Sequence, residues 1–213
     1  MKKFILLLGL IAILGSCRRP NSPCEGDLLF CIADSSAFSS SIVAATRSLS
    51  ELQFDHVGIF TCLDGEPAVL EASPRKGVSL TPLAEFYANS PAGLICLRPC
   101  GECDIPASLQ RAMGHLGEKY DWHFKKDNGM MYCSELVYES YVRKDGSPLF
   151  EEVPMSFRDS SGQIPQFWTE LFESFGEAVP EGEPGTNPNG LADSENLVII
   201  DINSYIAGLF TNR

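Results

Sequence analysis

Apolar positions in the first half of the chain gather into short runs. Residues 28–32, 57–62, 68–72, 77–80 and 94–97 are rich in Leu, Ile, Val and Phe, are mostly bounded by turn residues, and read as strands. The period then changes. Asp104 stands where a helix N-cap belongs, Pro106 falls in the first turn, and Leu109, Ala112, Met113 and Leu116 recur at helical spacing. That stripe predicts a helix packed on a sheet, while His115 falls off it and is expected at the surface. Short strands with interspersed helices and no internal repeat predict one α+β domain.

Asp64-Gly65, set between two of these runs, has the composition of a two-residue hairpin loop. With these residues in the loop, Leu63 pairs with Glu66, Gly58 with Glu71 and His56 with Ser73. Cross-strand partners share a face, as do alternate residues of one strand. His56, Gly58 and Glu71 therefore project together, with no side chain at Gly58 to intervene. The diagonal from His56 to Glu71 is about 7–8 Å between backbones, within reach of a glutamate. A loop one residue longer would turn Glu71 to the opposite face. By the same alternation Asp55 points away from His56.

A second segment supplies a nucleophile. Tyr132-Cys133-Ser134-Glu135-Leu136-Val137 opens a helix-like run, and a thiol at a helix N-terminus meets unpaired N–H groups and the positive end of the dipole. Cys133 as nucleophile, His56 as base and Glu71 as the carboxylate that orients the imidazole form a Cys-His-Glu triad. Taken singly, Cys133 reads as a small buried hydrophobe and His56 as a core histidine. His123, in Tyr120-Asp121-Trp122-His123-Phe124, competes for the role of base and is a candidate to contact substrate. His56 is preferred because it alone has a same-face carboxylate. Tyr120 is a second candidate substrate-binding residue, as a donor to the oxyanion, with aromatic packing as its alternative.

The order Gly26-Asp27 in an opening strand, HVGIF at 56–60, VLEAS at 69–73, a helix, Tyr120-Asp121 and YCSELV at 132–137 resembles the YiiX/YebB-like proteins. These are circularly permuted relatives of the NlpC-type, papain-fold cysteine hydrolases, and the resemblance covers roughly residues 25–145. In the unpermuted family the cysteine helix comes before the histidine strand; here His56 comes first. The resemblance implies a permuted papain-like fold, with a small antiparallel sheet or barrel packed with helices. It also implies Cys133, His56 and Glu71 as nucleophile, base and orienting residue, acting on cell-wall peptides or other small amides. A lipid acyl hydrolase or acyltransferase of the same superfamily is the alternative activity. A non-catalytic binding lipoprotein is the alternative from another class, and the intact triad argues against it.

The N-terminus changes where this chemistry is expected. Lys2 and Lys3 precede an apolar stretch at 4–14 that is short for a bilayer span and ends in Leu14-Gly15-Ser16-Cys17. Small residues before a cysteine resemble a bacterial lipobox, so 1–16 reads as a signal peptide and Cys17 as the lipidated first residue. A tether at 17–23 then leads into a hydrolase domain at 24–213. The expected location is the bacterial cell envelope, as a membrane-anchored lipoprotein.

Charge and cysteine usage fit export. The formal charge of −12 becomes −14 without the leader, because Lys2 and Lys3 are lost and no acid is. An acidic surface disfavours nucleic acid as a partner. Much of the excess lies in the Glu-, Pro- and Gly-rich stretch at 173–195, which reads as an exposed acidic loop. Of eight cysteines, Cys17 and Cys133 have assigned roles, and the remaining six allow 15 disulfide connectivities. Cys100-Gly101-Glu102-Cys103 lacks a second CxxC or paired histidines to complete a zinc set, so no metal or cofactor is expected.

Overall fold

The computed structural model describes residues 21–46 and 51–211. In chain order the elements are β1 (Leu28–Ile32), α1 (Ala37–Ala45), β2 (Phe54–Leu63), β3 (Glu66–Ser73), β4 (Gly77–Pro82), α2 (Leu83–Ala88), β5 (Leu94–Pro99) and α3 (Ile105–Gly114). They continue with β6 (Lys119–Tyr120), β7 (Met130–Met131), α4 (Cys133–Ser140), β8 (Val153–Pro154), α5 (Gln166–Phe175), β9 (Pro184–Gly185), α6 (Pro188–Ala192), β10 (Leu197–Ile200) and α7 (Asn203–Thr211). The five strand-like runs of the sequence are β1 to β5. Asp104 caps α3 as its position predicts, its carboxylate accepting the Ala107 N–H at 3.1 Å.

Six strands form one sheet in the order β10-β5-β1-β2-β3-β4, with every neighbouring pair antiparallel. The β2–β3 hairpin turns at Asp64-Gly65, both at positive φ, and pairs Leu63 with Glu66 through to Ile59 with Leu70. One further step along that ladder sets Gly58 across from Glu71. Period-two alternation divides the apolar residues between the two faces of the sheet. Leu28, Phe30, Val57, Ile59 and Leu70 join a core with Ala112 of α3 and Leu136 and Val137 of α4. Leu29, Cys31, Phe60 and Val69 join another with Leu83 and Phe86 of α2 and Ile206 of α7.

The β1–β2 ladder carries a bulge that sequence alternation does not foresee. Cys31 faces His56 and Ile32 faces Phe54, so Asp55 is an extra residue on β2 with no partner of its own. Such insertions bend a strand and re-aim the side chains beside them. This one falls immediately before the histidine.

The acidic stretch at 173–195 departs from its expected character. It contains the end of α5, β9 and α6, and it buries Thr186, Pro188, Asn189 and Leu191. Its glutamates are largely at the surface, but the apolar and amide side chains between them pack inward. His115, expected at the surface, is half-buried and lies 3.1 Å from Glu118 through Nδ1. Leu116, expected on the packed stripe, follows the end of α3 and is exposed.

Candidate active site

Helix α4 begins at Cys133, with Tyr132 as its N-cap. Two contacts fix this end. The Tyr132 N–H donates to Glu135 Oε2 at 3.3 Å, and the Tyr132 hydroxyl accepts the Thr186 N–H at 3.2 Å. The helix packs against β2 and β3, and this brings Cys133 to His56. His56 Nε2 lies 2.7 Å from Glu71 Oε2, with the two side chains 20% and 9% exposed. With Nε2 engaged by the carboxylate, Nδ1 is the nitrogen left for the thiol. Glu71 Oε1 accepts the Thr81 hydroxyl at 2.6 Å, so both carboxylate oxygens are occupied.

The electrostatics follow from these partners. Burial works against a charged imidazole at His56, but its hydrogen bonds with Cys133 and Glu71 outweigh burial and hold its pKa well above the usual value. Burial likewise opposes ionisation of Glu71, yet His56 and the Thr81 hydroxyl bring its carboxyl below the ordinary range. The pair therefore favours an imidazolium beside a carboxylate. Gly58 makes room for this arrangement: a Cβ there would lie 2.4 Å from Val69 Cγ1 and 3.2 Å from Phe86. Phe86 occupies that space and packs 5.9 Å from the His56 ring.

A residue that the sequence reading passed over holds the strand in place. Asn189, fully buried in α6, accepts the Phe54 N–H at 2.7 Å and donates to the Phe54 carbonyl at 3.1 Å. It also donates to the Thr46 hydroxyl at 2.9 Å. One amide thus satisfies both backbone groups of the residue just before the bulge. Asn187-Pro188 was the available signal, a capping residue followed by proline, and Asn187 does cap α6 through the Gly190 N–H at 2.8 Å.

Cys133 forms part of the wall of a small, mainly apolar cavity that also includes Tyr120, Phe124 and Trp168. Tyr120 is buried there, its ring 5.0 Å from Trp122, and burial keeps its hydroxyl protonated well beyond the ordinary range. It lines the same cavity as Cys133. His123 is placed elsewhere: Nδ1 lies 3.2 Å from Glu177, the ring stacks 4.4 Å from Phe175, and it is absent from the cavity wall. The Asp121 carboxylate, which accepts the N–H groups of His123 and Lys125, sets that loop and turns the imidazole outward. Asp55, expected to point away from the chemistry, lines this cavity as a consequence of the bulge.

Cys100 and Cys103 are free thiols, as are Cys31, Cys62, Cys96 and Cys133. Cys17 lies outside the described residues. Among the described residues no group of three or more His, Cys, Asp or Glu side chains is arranged to hold a metal ion.

The family model for the permuted papain-like amidase enzymes, YaeF/YiiX, C92 family, matches residues 22–201. The chain belongs to this family. It is thus a permuted papain-like amidase, of the cysteine peptidase class, with the histidine strand before the cysteine helix. A relative, the "Uncharacterized protein YiiX" of Escherichia coli (strain K12), is 28% identical over 204 residues, covering 94% of this chain and 96% of that protein. A crystal structure described as metalloprotein yiiX from Escherichia coli O157:H7 superimposes with a TM-score of 0.67 at 23% identity, covering 84% of this chain and 97% of that one. That likeness shows the shared fold.

Proposed function

We propose that the chain hydrolyses an amide bond through a Cys133-His56-Glu71 triad, on cell-wall peptides or related small amides, while anchored to the bacterial envelope by lipid on Cys17. The observation that carries the reading is His56 held between Glu71, at 2.7 Å, and the thiol at the start of α4. His56 takes the thiol proton, and Sγ attacks the carbonyl carbon to form the S–C bond. The developing oxyanion is met by the backbone N–H of Cys133 and by the Tyr120 hydroxyl. The C–N bond breaks as imidazolium protonates the leaving amine, which gives a thioester. His56 then takes a proton from water, hydroxide displaces Sγ, and the thiolate-imidazolium pair returns. Glu71 keeps the ring oriented throughout.

Anchoring rests on the sequence pattern ending at Cys17, and no helix among the described residues is long and apolar enough to cross a membrane. A panel of aminoacyl and peptidyl anilides, assayed with wild type and Cys133→Ala, tests the chemistry. Release of amine by wild type and its loss in the variant is the expected result. Equal turnover by Cys133→Ala would place the nucleophile elsewhere.

A further inference from the structure

Two recesses flank Cys133 and His56, and they share one residue. The recess with Cys133 in its wall is a cavity of about 50 Å³, lined mainly by apolar groups such as Ile42, Phe124 and Met155. The recess with His56 and Glu71 in its wall is a more polar cleft of about 340 Å³ that extends to Arg75 and Lys76. Asp55 lines both. In amide hydrolysis the acyl group stays on Sγ, on the cysteine side, and the leaving nitrogen departs where His56 delivers its proton. The carboxylate common to both recesses therefore stands next to the scissile bond.

That carboxylate is incompletely partnered. Among the described residues its hydrogen bond is a long one, 3.4 Å from the Asp34 N–H, and no cation lies within ion-pair distance. Lys76, the lysine of the cleft, is held by Glu85 at 2.7 Å. The buried hydroxyl of Ser134, in the wall of the small cavity, also lacks a partner among the described residues. A half-buried carboxylate is stabilised when a cation with N–H donors completes it. Size limits what sits beside it: a cavity of about 150 Å³ takes benzene, so one a third as large fits a side chain such as that of alanine or valine and excludes a long acyl chain.

We propose that Asp55 binds the α-ammonium group of an aminoacyl amide, so that the enzyme releases a small, free N-terminal residue and accepts a varied leaving group in the polar cleft. The assignment rests on the amidase reading and names its substrate class. Asp55 is here a specificity determinant, and it touches the substrate next to the reacting carbonyl.

Two electrophiles test it: alanyl chloromethyl ketone with a free amine, and its N-acetyl counterpart, whose ammonium is removed. Each alkylates a cysteine positioned to attack the adjacent carbonyl, so labelling of Cys133, read by mass spectrometry of the full-length protein at pH 6.5, does not require turnover. Wild type is expected to label at least about tenfold faster with the free amine, and Asp55→Asn to bring the ratio near one. Asp55→Glu, which keeps the charge, retains part of the preference and guards against loss of fold in the amide variant. Equal rates in wild type, or a preference that survives in Asp55→Asn, overturns the assignment and leaves the amidase reading standing. Failure of both reagents to label Cys133 overturns the amidase reading and this assignment with it.

Discussion

Thr81 and Glu71 lie on adjacent strands, and the Thr81 hydroxyl donates to Glu71 Oε1 at 2.6 Å while Oε2 faces His56. The threonine thus fixes the rotation of the carboxylate that fixes the imidazole. Glu71→Gln is expected to lower kcat by about 10²–10⁴ with little change in KM, as for a lost orienting carboxylate. Thr81→Val removes a single hydrogen bond and is expected to cost about three- to tenfold in kcat. Steady-state kinetics on the anilide panel decides, and a Thr81 effect as large as that of Glu71 would mean that the threonine does more than position.

The His56–Glu71 pair sets a pH window for stability. His56 binds its proton more tightly folded than unfolded, so its contribution is whole below its ordinary value of 6.5 and is lost as pH rises through the raised folded value. Glu71 holds its proton less tightly when folded, so its contribution is whole above 4.5 and is lost as pH falls through the lowered folded value. The stability difference between wild type and Glu71→Gln should therefore be largest between about pH 4.5 and 6.5. Urea unfolding across pH 3–9 measures it. Cys133→Ala, which removes the other hydrogen bond to His56, should bring the alkaline limb to lower pH.

Glu135, two residues after Cys133, carries the opposite balance. Burial pushes its carboxyl up to about 8, Asp121 adds to the rise, and the Tyr132 N–H opposes it. Its raised folded pKa gives stability that is whole below 4.5 and is lost as pH climbs through about 8. Glu135→Gln keeps an acceptor for Tyr132 and has no proton to lose. It should match wild type near pH 5 and exceed it by ~1–3 kcal/mol at pH 9. A pH-independent difference in melting temperature would contradict this account.

Asn189→Ala leaves the Phe54 N–H and carbonyl buried without partners, at a cost of about 2–4 kcal/mol. Because that backbone precedes the Asp55 bulge, kcat should fall beyond what partial unfolding explains. The two effects separate if activity is measured well below the melting temperature. Normal kcat in a folded Asn189→Ala protein would show that the bulge holds its shape unaided.

Localisation tests the N-terminal reading. A lipidated N-terminal cysteine carries more than the single acyl chain that binds membranes marginally, so the mature protein should partition with membranes and into detergent. Cys17→Ala should block processing or release the protein, and a chain starting near Asn21 should be soluble and active. Membrane retention of that shortened chain would show a second lipid-binding surface.

Legibility followed the range of the forces involved. The β2–β3 register rests on Asp64-Gly65 and a few cross-strand pairs, so the closeness of His56 and Glu71 was readable from strand geometry alone. The Asp104 cap was equally local. The bulge at Asp55 depends on β1 as partner and on Asn189 from α6, and no window of neighbouring residues carries that information. The same holds for His123, whose partner Glu177 lies on a distant segment. The stretch at 173–195 misled because its composition reports the exposed glutamates, whereas the Thr186-Asn187-Pro188 segment that lines the cavity is short and uncharged.

The permuted order also has a meaning in time. The hairpin bearing His56 and Glu71 closes through a two-residue loop, so it forms early and from nearby chain. Cys133 emerges 77 residues after His56, and the amide that steadies the histidine strand emerges later still, at Asn189. A growing chain therefore has His56 beside Glu71 before Cys133 exists, and has Cys133 before Asn189 can hold Phe54. The meeting of His56 with Cys133 is thus a late, long-range contact laid on an early, local one.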